Sequence, residues 1–149
     1  MSHVLDCSVT LSWFLEDERT KFTDQILNEI HQIEYWVPSI WRLEMVNGLL
    51  MAERRKRIDR AWRIESVDQT ARLKVRVDPA QLSMEAVANL ADRHGLTAYE
   101  AVYLELAKRQ KFGLITQDTE LVRAAGAEGL PVQSPGRSSA AQRRRRYNV

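Results

Sequence analysis

The sequence predicts an α/β fold built around a mostly parallel sheet. Short apolar runs alternate along the chain with longer amphipathic stretches, which is the pattern of successive β-α-β units. The chain has 149 residues, of which 44% are hydrophobic, enough for one compact domain with its own core. We find no internal repeat. We therefore expect one domain over residues 1–135, followed by a basic tail over residues 136–149 with the composition of a disordered segment.

The first predicted elements are a strand and two helices. Residues 4–6 are predicted to be the end of a first strand, and a helical stretch follows through Ser12 and Trp13. Residues 21–33 are predicted to form a surface helix, because their apolar side chains recur at helical spacing (Phe22, Ile26, Ile30 and Ile33).

The middle of the chain predicts two further strands and two further helices. Residues 35–37 form a brief strand that Pro38 ends. Ser39 then has the chemistry of an N-cap for a helix over residues 40–54. The remaining elements of this part are a helix over residues 59–73 and a strand over residues 74–77.

The last part of the chain predicts three helices and two strands. The helix over residues 83–93 has apolar residues along one face (Met84, Val87, Leu90 and Ala91), and Gly95 just beyond it favours a helix stop. The other elements, in order, are a helix over residues 97–111, a strand over residues 113–116, a helix over residues 119–125 and an edge strand over residues 130–133.

Charge and cysteine content narrow the class of protein. The positive net charge of +2 comes from the tail, which has five arginines and no acids. The rest of the chain has 17 basic and 20 acidic residues, a net charge of −3. The charge-free stretches are too short to span a bilayer, so we expect no membrane segment. Cys7 is the only cysteine, which excludes an internal disulfide and favours a reducing location, the cytoplasm.

Two aspartates follow predicted strands. Asp6 comes after the first strand and Asp118 after the fourth. In an open parallel sheet, ligand-binding and active sites lie beyond the carboxyl ends of the strands, where the strand order reverses. Either each aspartate only caps the next helix, or the two face each other across one site; their matching positions favour the site.

Glu44 is a third candidate. Ile40, Leu43, Asn47 and Leu50 form a stripe expected to face the sheet, and Glu44 falls on or beside it. A buried carboxylate costs several kcal/mol unless it is paired, so a metal site would explain it. The alternatives are a salt bridge to Arg42 or Arg54, or a helix rotated so that Glu44 is exposed.

Glu100 has a strong structural explanation. Thr97 and Glu100 form a capping box at the start of a predicted helix, in which each residue bonds the backbone N–H of the other. From local sequence alone, Glu100 is a structural residue.

Four segments together resemble a VapC-type PIN domain. They are Val4-Leu5-Asp6-Cys7-Ser8, Leu43-Glu44-Met45-Val46-Asn47-Gly48-Leu49, His94-Gly95-Leu96-Thr97-Ala98-Tyr99-Glu100-Ala101-Val102-Tyr103-Leu104 and Leu114-Ile115-Thr116-Gln117-Asp118. The resemblance covers roughly residues 2–133, in order and at family-like spacing. Each segment alone is weakly specific, and the four in register are fairly specific.

The resemblance implies a fold, a site and partners. The fold is an α/β/α sandwich with strand order 3-2-1-4-5. The acidic pocket binds Mg²⁺ or Mn²⁺ and is formed by Asp6, Glu44, Glu100 and Asp118, with Thr116 at a supporting position. The implied activity is hydrolysis of RNA by a homodimeric toxin that a VapB antitoxin inhibits.

One position departs from the family pattern. The third acid is usually aspartate, and here it is Glu100, one methylene longer. Mg²⁺ requires near-octahedral geometry at about 2.0–2.1 Å, so this residue puts metal occupancy and preference in question. The competing hypothesis is a catalytically inactive PIN-like module that binds nucleic acid or protein. The chain has no glycine-rich phosphate loop, which argues against nucleotide-binding α/β enzymes.

Other polar and aromatic residues keep two interpretations. The basic run over residues 54–57, with Arg60 and Arg63 beyond it, either contacts RNA phosphates or forms a solvated helix end. The four tryptophans either stack on bases or fill the core and interfaces. Cys7 is expected to be a small buried thiol.

Overall fold

The structure, a computed structural model, describes residues 1–136 and contains one five-stranded sheet. The strands run in parallel in the order β3-β2-β1-β4-β5, which confirms the order that the family resemblance implies. The strands are β1 (Ser2–Leu5), β2 (Glu34–Val37), β3 (Arg76–Val77), β4 (Gly113–Ile115) and β5 (Val132–Gln133).

Seven α-helices connect these strands within residues 1–136. They are α1 (Cys7–Ser12), α2 (Lys21–Asn28), α3 (Ile40–Arg54), α4 (Arg60–Ala71), α5 (Met84–His94), α6 (Ala98–Gln110) and α7 (Thr119–Ala127). A short 3₁₀ helix over Glu16–Glu18, which the sequence did not predict, links α1 to α2. The α/β/α architecture predicted from the sequence is confirmed. Among the described residues, no helix has both the length and the apolar composition to cross a lipid bilayer.

Helix α2 ends earlier than predicted. It stops at Asn28, and the chain then turns with a hydrogen bond from Ile33 N to Glu29 O of 3.0 Å before β2 begins. Ile30 is nevertheless buried, because it packs into the core from the turn. The apolar spacing that suggested a longer helix therefore reflects core contacts, not continued helix.

Helix α3 has the predicted bounds, but its predicted buried face is wrong. The side chains that pack inward include Trp41, Met45 and Leu49, spaced four residues apart, whereas Leu43 is 65% exposed and Asn47 is exposed. This face contacts Thr10 on α1: the Thr10 hydroxyl accepts from Trp41 Nε1 (2.9 Å), and its one hydrogen is shared between Cys7 O (3.2 Å) and Met45 Sδ (3.1 Å). Because α3 has apolar residues around most of its circumference, periodicity alone does not select the buried face.

The predicted cap of α3 is also wrong. Ser39 has helical backbone angles, φ −59° and ψ −29°, and its side chain makes no capping hydrogen bond. Farther along α3, Gly48 lets α1 approach: an added Cβ there would come within 2.7 Å of Leu11 Cδ2. Close contact between α1 and α3 brings the residues after β1 near the start of α3, where Glu44 lies.

The ends of α5 match the sequence, but one of its predicted core residues does not. Ser83 caps the helix by accepting from Ala86 N (3.2 Å), and Gly95 ends it in the left-handed conformation at φ 65°. Val87 and Leu90 are buried, whereas Met84 is 80% exposed because it lies in the first turn, beyond the surface that α5 buries.

Candidate active site

Asp6 and Asp118 meet at the carboxyl ends of neighbouring strands. Asp6 directly follows β1, and Asp118 lies three residues beyond the end of β4, which pairs with β1 in parallel. Thr116 connects them: its hydroxyl donates to Asp6 Oδ2 (2.7 Å) and accepts from the backbone N–H of Asp118 (3.0 Å). The structure therefore brings together three of the predicted site residues.

The two aspartates differ in their capping roles. Asp6 occupies the N-cap position of α1 but makes no side-chain capping bond; its Oδ2 accepts from the Ser8 hydroxyl instead (2.8 Å). Asp118 does cap α7, because its Oδ1 accepts from the N–H groups of Glu120 (2.8 Å) and Leu121 (3.2 Å). The capping explanation is thus wrong for Asp6 and correct for Asp118, where it adds rigidity to the side chain.

Glu44 faces the interior. Glu44 is only 7% exposed, and its Oε1 accepts a hydrogen bond from the Tyr103 hydroxyl (2.5 Å). The alternative of a helix rotated to expose Glu44 is therefore wrong, and Arg42 and Arg54, the proposed salt-bridge partners, are exposed to solvent. Tyr103 is buried and belongs to α6, so this bond joins α3 to α6.

Glu100 forms the predicted capping box. Its Oε1 accepts from the backbone N–H (3.2 Å) and the hydroxyl (2.8 Å) of Thr97, whose hydroxyl in turn accepts from Glu100 N (3.1 Å). Among the described residues, both hydrogen bonds that this carboxylate accepts use Oε1. Glu100 lies three residues before Tyr103, so both side chains share one face of α6.

Three residues around the predicted acids were missed by sequence reasoning; two of them bond an acid directly, and the third bonds one of these two. Ser8 bonds Asp6, Tyr103 bonds Glu44, and Gln117 bonds Ser8. Tyr103 carried a usable signal, since it lies one helical turn after Glu100. Ser8 lies two residues after Asp6, but Gln117 gave no signal, because a glutamine in a loop is usually exposed and this one is 2% exposed.

The acids have the chemistry of a divalent-cation site, but their present side-chain positions do not close around one. Carboxylate oxygens are the ligands that Mg²⁺ and Mn²⁺ prefer. Within residues 1–136, however, no three His, Cys, Asp or Glu side chains are placed so that they could hold one ion. Glu100 is held toward Thr97, so its carboxylate would have to share or leave that cap to reach an ion at Asp6.

The basic segment between α3 and α4 divides into paired and unpaired cations. Arg57 binds Asp17 (2.8 Å) and Glu18 (2.7 Å), bonds that raise the pKa of its guanidinium, and Arg63 binds Glu53 (2.6 Å). Four exposed cations form no salt bridge within the described part of the chain: Arg54, Arg55, Lys56 and Arg60.

The tryptophans mainly pack. Trp13 and Trp41 are buried, and Trp36 lies against Phe112 with ring centroids 6.0 Å apart. Trp62 is 39% exposed, with its Nε1 bonded to Phe14 O (2.7 Å). Cys7 is buried, as predicted, which removes its thiol from contact with solvent.

An apolar cavity of about 320 Å³ lies apart from the four acids, in contact with α3, α4 and the residues around β3. Its lining is largely aliphatic and includes Met45, Leu49, Val67 and Val77. None of the four acids lines it, so we do not assign it to the proposed chemistry.

Comparison with known proteins identifies the family and supports the fold. The family model described as "PIN domain" matches residues 3–127. The fold is similar to PAE2754 from Pyrobaculum aerophilum, with 20% identity, a TM-score of 0.67 and 89% of each chain covered. It is also similar to VapBC2 from Rickettsia felis, solved bound to a DNA fragment from their promoter, with 12% identity, a TM-score of 0.62, and 90% of this chain and 98% of that chain covered. The comparison with curated proteins found no match.

Proposed function

The chain belongs to the PIN-domain family, and from this premise we propose that it is a Mg²⁺- or Mn²⁺-dependent endoribonuclease, the toxin of a VapBC-type pair. PIN domains are generally nucleases and typically use divalent metal ions. The observation that carries the proposal is the Thr116 hydroxyl, which links Asp6 to the backbone of Asp118 at the ends of two adjacent parallel strands. This arrangement holds two carboxylate-bearing residues at the edge of the sheet where α/β enzymes bind substrates.

Four acids would hold the metal: Asp6, Glu44, Glu100 and Asp118. The chemistry supplied by a divalent cation held there would be a lower pKa of a coordinated water and polarisation of a phosphoryl oxygen. The chain itself orients the acids. Thr116 and Ser8 hold the Asp6 carboxylate, the α7 cap holds Asp118, and Tyr103 holds Glu44. The buried thiol of Cys7 is not needed as a nucleophile.

The exposed cations between α3 and α4 support an RNA substrate. Residues 1–135 carry a net charge of −3, so an anionic substrate needs a local positive surface. Arg54, Arg55, Lys56 and Arg60 offer one, because no carboxylate of the described residues pairs with them. We assign these residues to phosphate groups away from the cleaved bond. The five tail arginines lie outside the described residues, and we propose that they add sequence-independent RNA affinity without contributing to the fold.

The proposed partners are a VapB-like antitoxin and a second copy of the chain. Support for the antitoxin is the likeness in fold to the Rickettsia felis VapBC2 structure. Support for a homodimer is the apolar surface of α3, where Leu43 and Val46 are exposed. A toxin that acts on cellular RNA would work in the cytoplasm, and the single free cysteine suits that compartment.

Growth after induced expression tests the proposal. Expression of the parent protein should arrest growth, and co-expression of a short upstream reading frame, if it encodes the antitoxin, should restore it. Asp118→Asn should not arrest growth, because it removes a charge while asparagine still caps α7. Equal toxicity of parent and variant at equal protein level would contradict the acid-pocket mechanism.

A binding module without catalysis is the second candidate. The observation that favours it is the lack, within residues 1–136, of three acids arranged around one ion. RNA binding that persists in EDTA, with no cleavage in Mg²⁺ or Mn²⁺, would support that alternative.

A further inference from the structure

The Asp6 carboxylate lies where two hydroxyl groups converge. Its Oδ2 accepts from Ser8 Oγ (2.8 Å) and from Thr116 Oγ1 (2.7 Å). Building on the proposed function, we propose that Ser8 and Gln117 are positioning residues: with Thr116 they fix the Asp6 carboxylate in the orientation that binds the divalent cation.

Each hydroxyl is oriented by a backbone amide. Gln117 N donates to Ser8 Oγ (3.3 Å), and Asp118 N donates to Thr116 Oγ1 (3.0 Å). A hydroxyl has one hydrogen. The Asp6 carboxylate can only accept hydrogen bonds, so each hydroxyl donates its one hydrogen to Asp6 and accepts its N–H through a lone pair. Two consecutive amides of the loop between β4 and α7 therefore orient both hydrogen bonds to one carboxylate oxygen.

The Gln117 side chain adds a second bond to the same turn. Its Nε2 donates to Ser8 O (3.0 Å), so Gln117 holds Ser8 through both its backbone and its amide group. This bond links the start of α1 to the loop before α7, across 109 residues of sequence. The loop that carries Asp118 is thereby locked to the turn that carries Asp6.

Gln117 also has a structural cost. Its Oε1 is buried and has no hydrogen-bond partner within residues 1–136. An unsatisfied buried acceptor destabilises a fold, so an apolar side chain of similar shape would relieve this cost. The glutamine is therefore explained better by its hold on Ser8 than by packing.

The consequence is that these contacts set the orientation of the Asp6 carboxylate. Both hydroxyl bonds use Oδ2, and because the carboxylate is planar they also fix the direction of Oδ1. Hydrogen bonds to the side chains that ligate a metal commonly change metal affinity or activity by about 10–100-fold when removed. Ser8 and Gln117 should thus act on metal affinity and kcat, through Asp6, and leave the KM for RNA unchanged.

A double-mutant cycle without metal tests the contact itself. Ser8→Ala should lower the unfolding midpoint of the metal-free protein, and should lower it far less in an Asp6→Ala background, where the Ser8 hydroxyl has lost its acceptor. Equal shifts in the two backgrounds would overturn the proposal. This measurement does not depend on nuclease activity, so its failure is distinct from a failure of the proposed function.

Mn²⁺ titration of the full-length protein tests the positioning role and needs no Asp6 variant. Ser8→Ala should weaken Mn²⁺ binding by about 10-fold or more, and Ser8→Thr, which keeps a hydroxyl, should restore most of it. Ser12→Ala is the matched control, because Ser12 is also buried on α1 but donates to Val9 O (2.6 Å). Equal losses for Ser8→Ala and Ser12→Ala would contradict the proposal.

Gln117→Met separates positioning from packing. Methionine keeps the length of the side chain, removes the bond to Ser8 O and removes the unsatisfied acceptor. We expect an unfolding midpoint near that of the parent together with weaker Mn²⁺ binding and a lower kcat at unchanged KM. Parental Mn²⁺ affinity in Gln117→Met would remove Gln117 from the positioning network.

Discussion

The Tyr103 hydroxyl donates a 2.5 Å hydrogen bond to Glu44 Oε1 and so joins α6 to α3 beside the candidate active site. Both side chains are buried. Glu100 lies one turn before Tyr103 on the same face of α6. The tyrosine that bonds Glu44 is therefore also a neighbour of Glu100, another acid of the proposed pocket. A buried carboxylate is expensive without such a partner, which makes Tyr103 a determinant of where Glu44 points.

Removal of that hydroxyl should have a metal-dependent effect. Tyr103→Phe is expected to destabilise the metal-free protein by about 1.5–3 kcal/mol, the usual cost of losing a hydrogen bond to a charged group. Saturating Mn²⁺ should reduce this loss, because a cation supplies countercharge for Glu44. Thermal unfolding with and without Mn²⁺ measures both effects. Tyr35→Phe is the control, since the buried Tyr35 hydroxyl donates to Ile26 O (3.2 Å), and its loss of stability should not depend on Mn²⁺. A loss of stability in Tyr103→Phe that is equally independent of Mn²⁺ would contradict this role.

The two roles of Glu100 can be separated by one isosteric change. Glu100→Gln keeps an oxygen that accepts from Thr97 N, so stability should fall by no more than about 1 kcal/mol. It removes the charge that a hard cation needs, so Mn²⁺ binding and RNA cleavage should weaken strongly. Glu85→Gln, in the first turn of α5, is the matched control and should leave both unchanged. Parental cleavage in Glu100→Gln would leave Glu100 as a cap only.

The cations between α3 and α4 should divide into two functional groups. Replacing Arg54, Arg55 and Lys56 together by alanine should weaken RNA binding with little change in stability. The slope of log affinity against log salt concentration should become less steep by the equivalent of about three phosphate contacts. Arg57→Ala should lower stability and leave RNA binding and its salt dependence unchanged, because Arg57 forms salt bridges with Asp17 and Glu18. Filter-binding titrations over a range of salt concentrations, paired with thermal unfolding, measure both. An unchanged salt slope in the triple variant would show that these three residues do not contact RNA phosphates.

His3 should make stability depend on pH. Burial in β1, helped by the positive N-terminus, lowers the pKa of the imidazole below 6.5. The unfolded chain therefore binds a proton first as the pH falls below about 6.5, so stability should decrease from there down to the folded-state pKa of His3. His3→Gln should flatten this part of the profile, and His31→Gln, at an exposed position, should not. An identical profile for His3→Gln and parent would contradict the assignment.

The fold was largely predictable from the sequence because alternating apolar runs and helix-end residues are local signals. The bounds of α3 were correct, and Ser83 and Gly95 marked the ends of α5. The face of α3 was not predictable. Trp41 and Met45 turn inward and contact Thr10, and that contact exists only once α1 and α3 are packed.

Two of the four candidate acids were predictable for a related reason, whereas Glu100 entered the candidate site only through the family resemblance. Asp6 and Asp118 stand at strand ends, so parallel pairing alone brings them to one edge of the sheet. The residues that orient Asp6 were not all predictable: Gln117 reaches Ser8 across 109 residues, and no local pattern encodes such a pair. The sequence therefore identified the candidate ligands more fully than the hydrogen bonds that position them.

Cleavage of RNA by purified protein, with Mg²⁺ or Mn²⁺ and with EDTA, tests the central claim most directly. We expect the parent and Asp92→Asn, a control at an exposed site on α5, to cleave with metal and to stop in EDTA. Asp6→Asn and Asp118→Asn should fold, because both keep the shape of the side chain, yet lose cleavage under all conditions. Cleavage that persists in EDTA, or in both Asn variants at the parental rate, would contradict a metal-dependent nuclease built on Asp6 and Asp118.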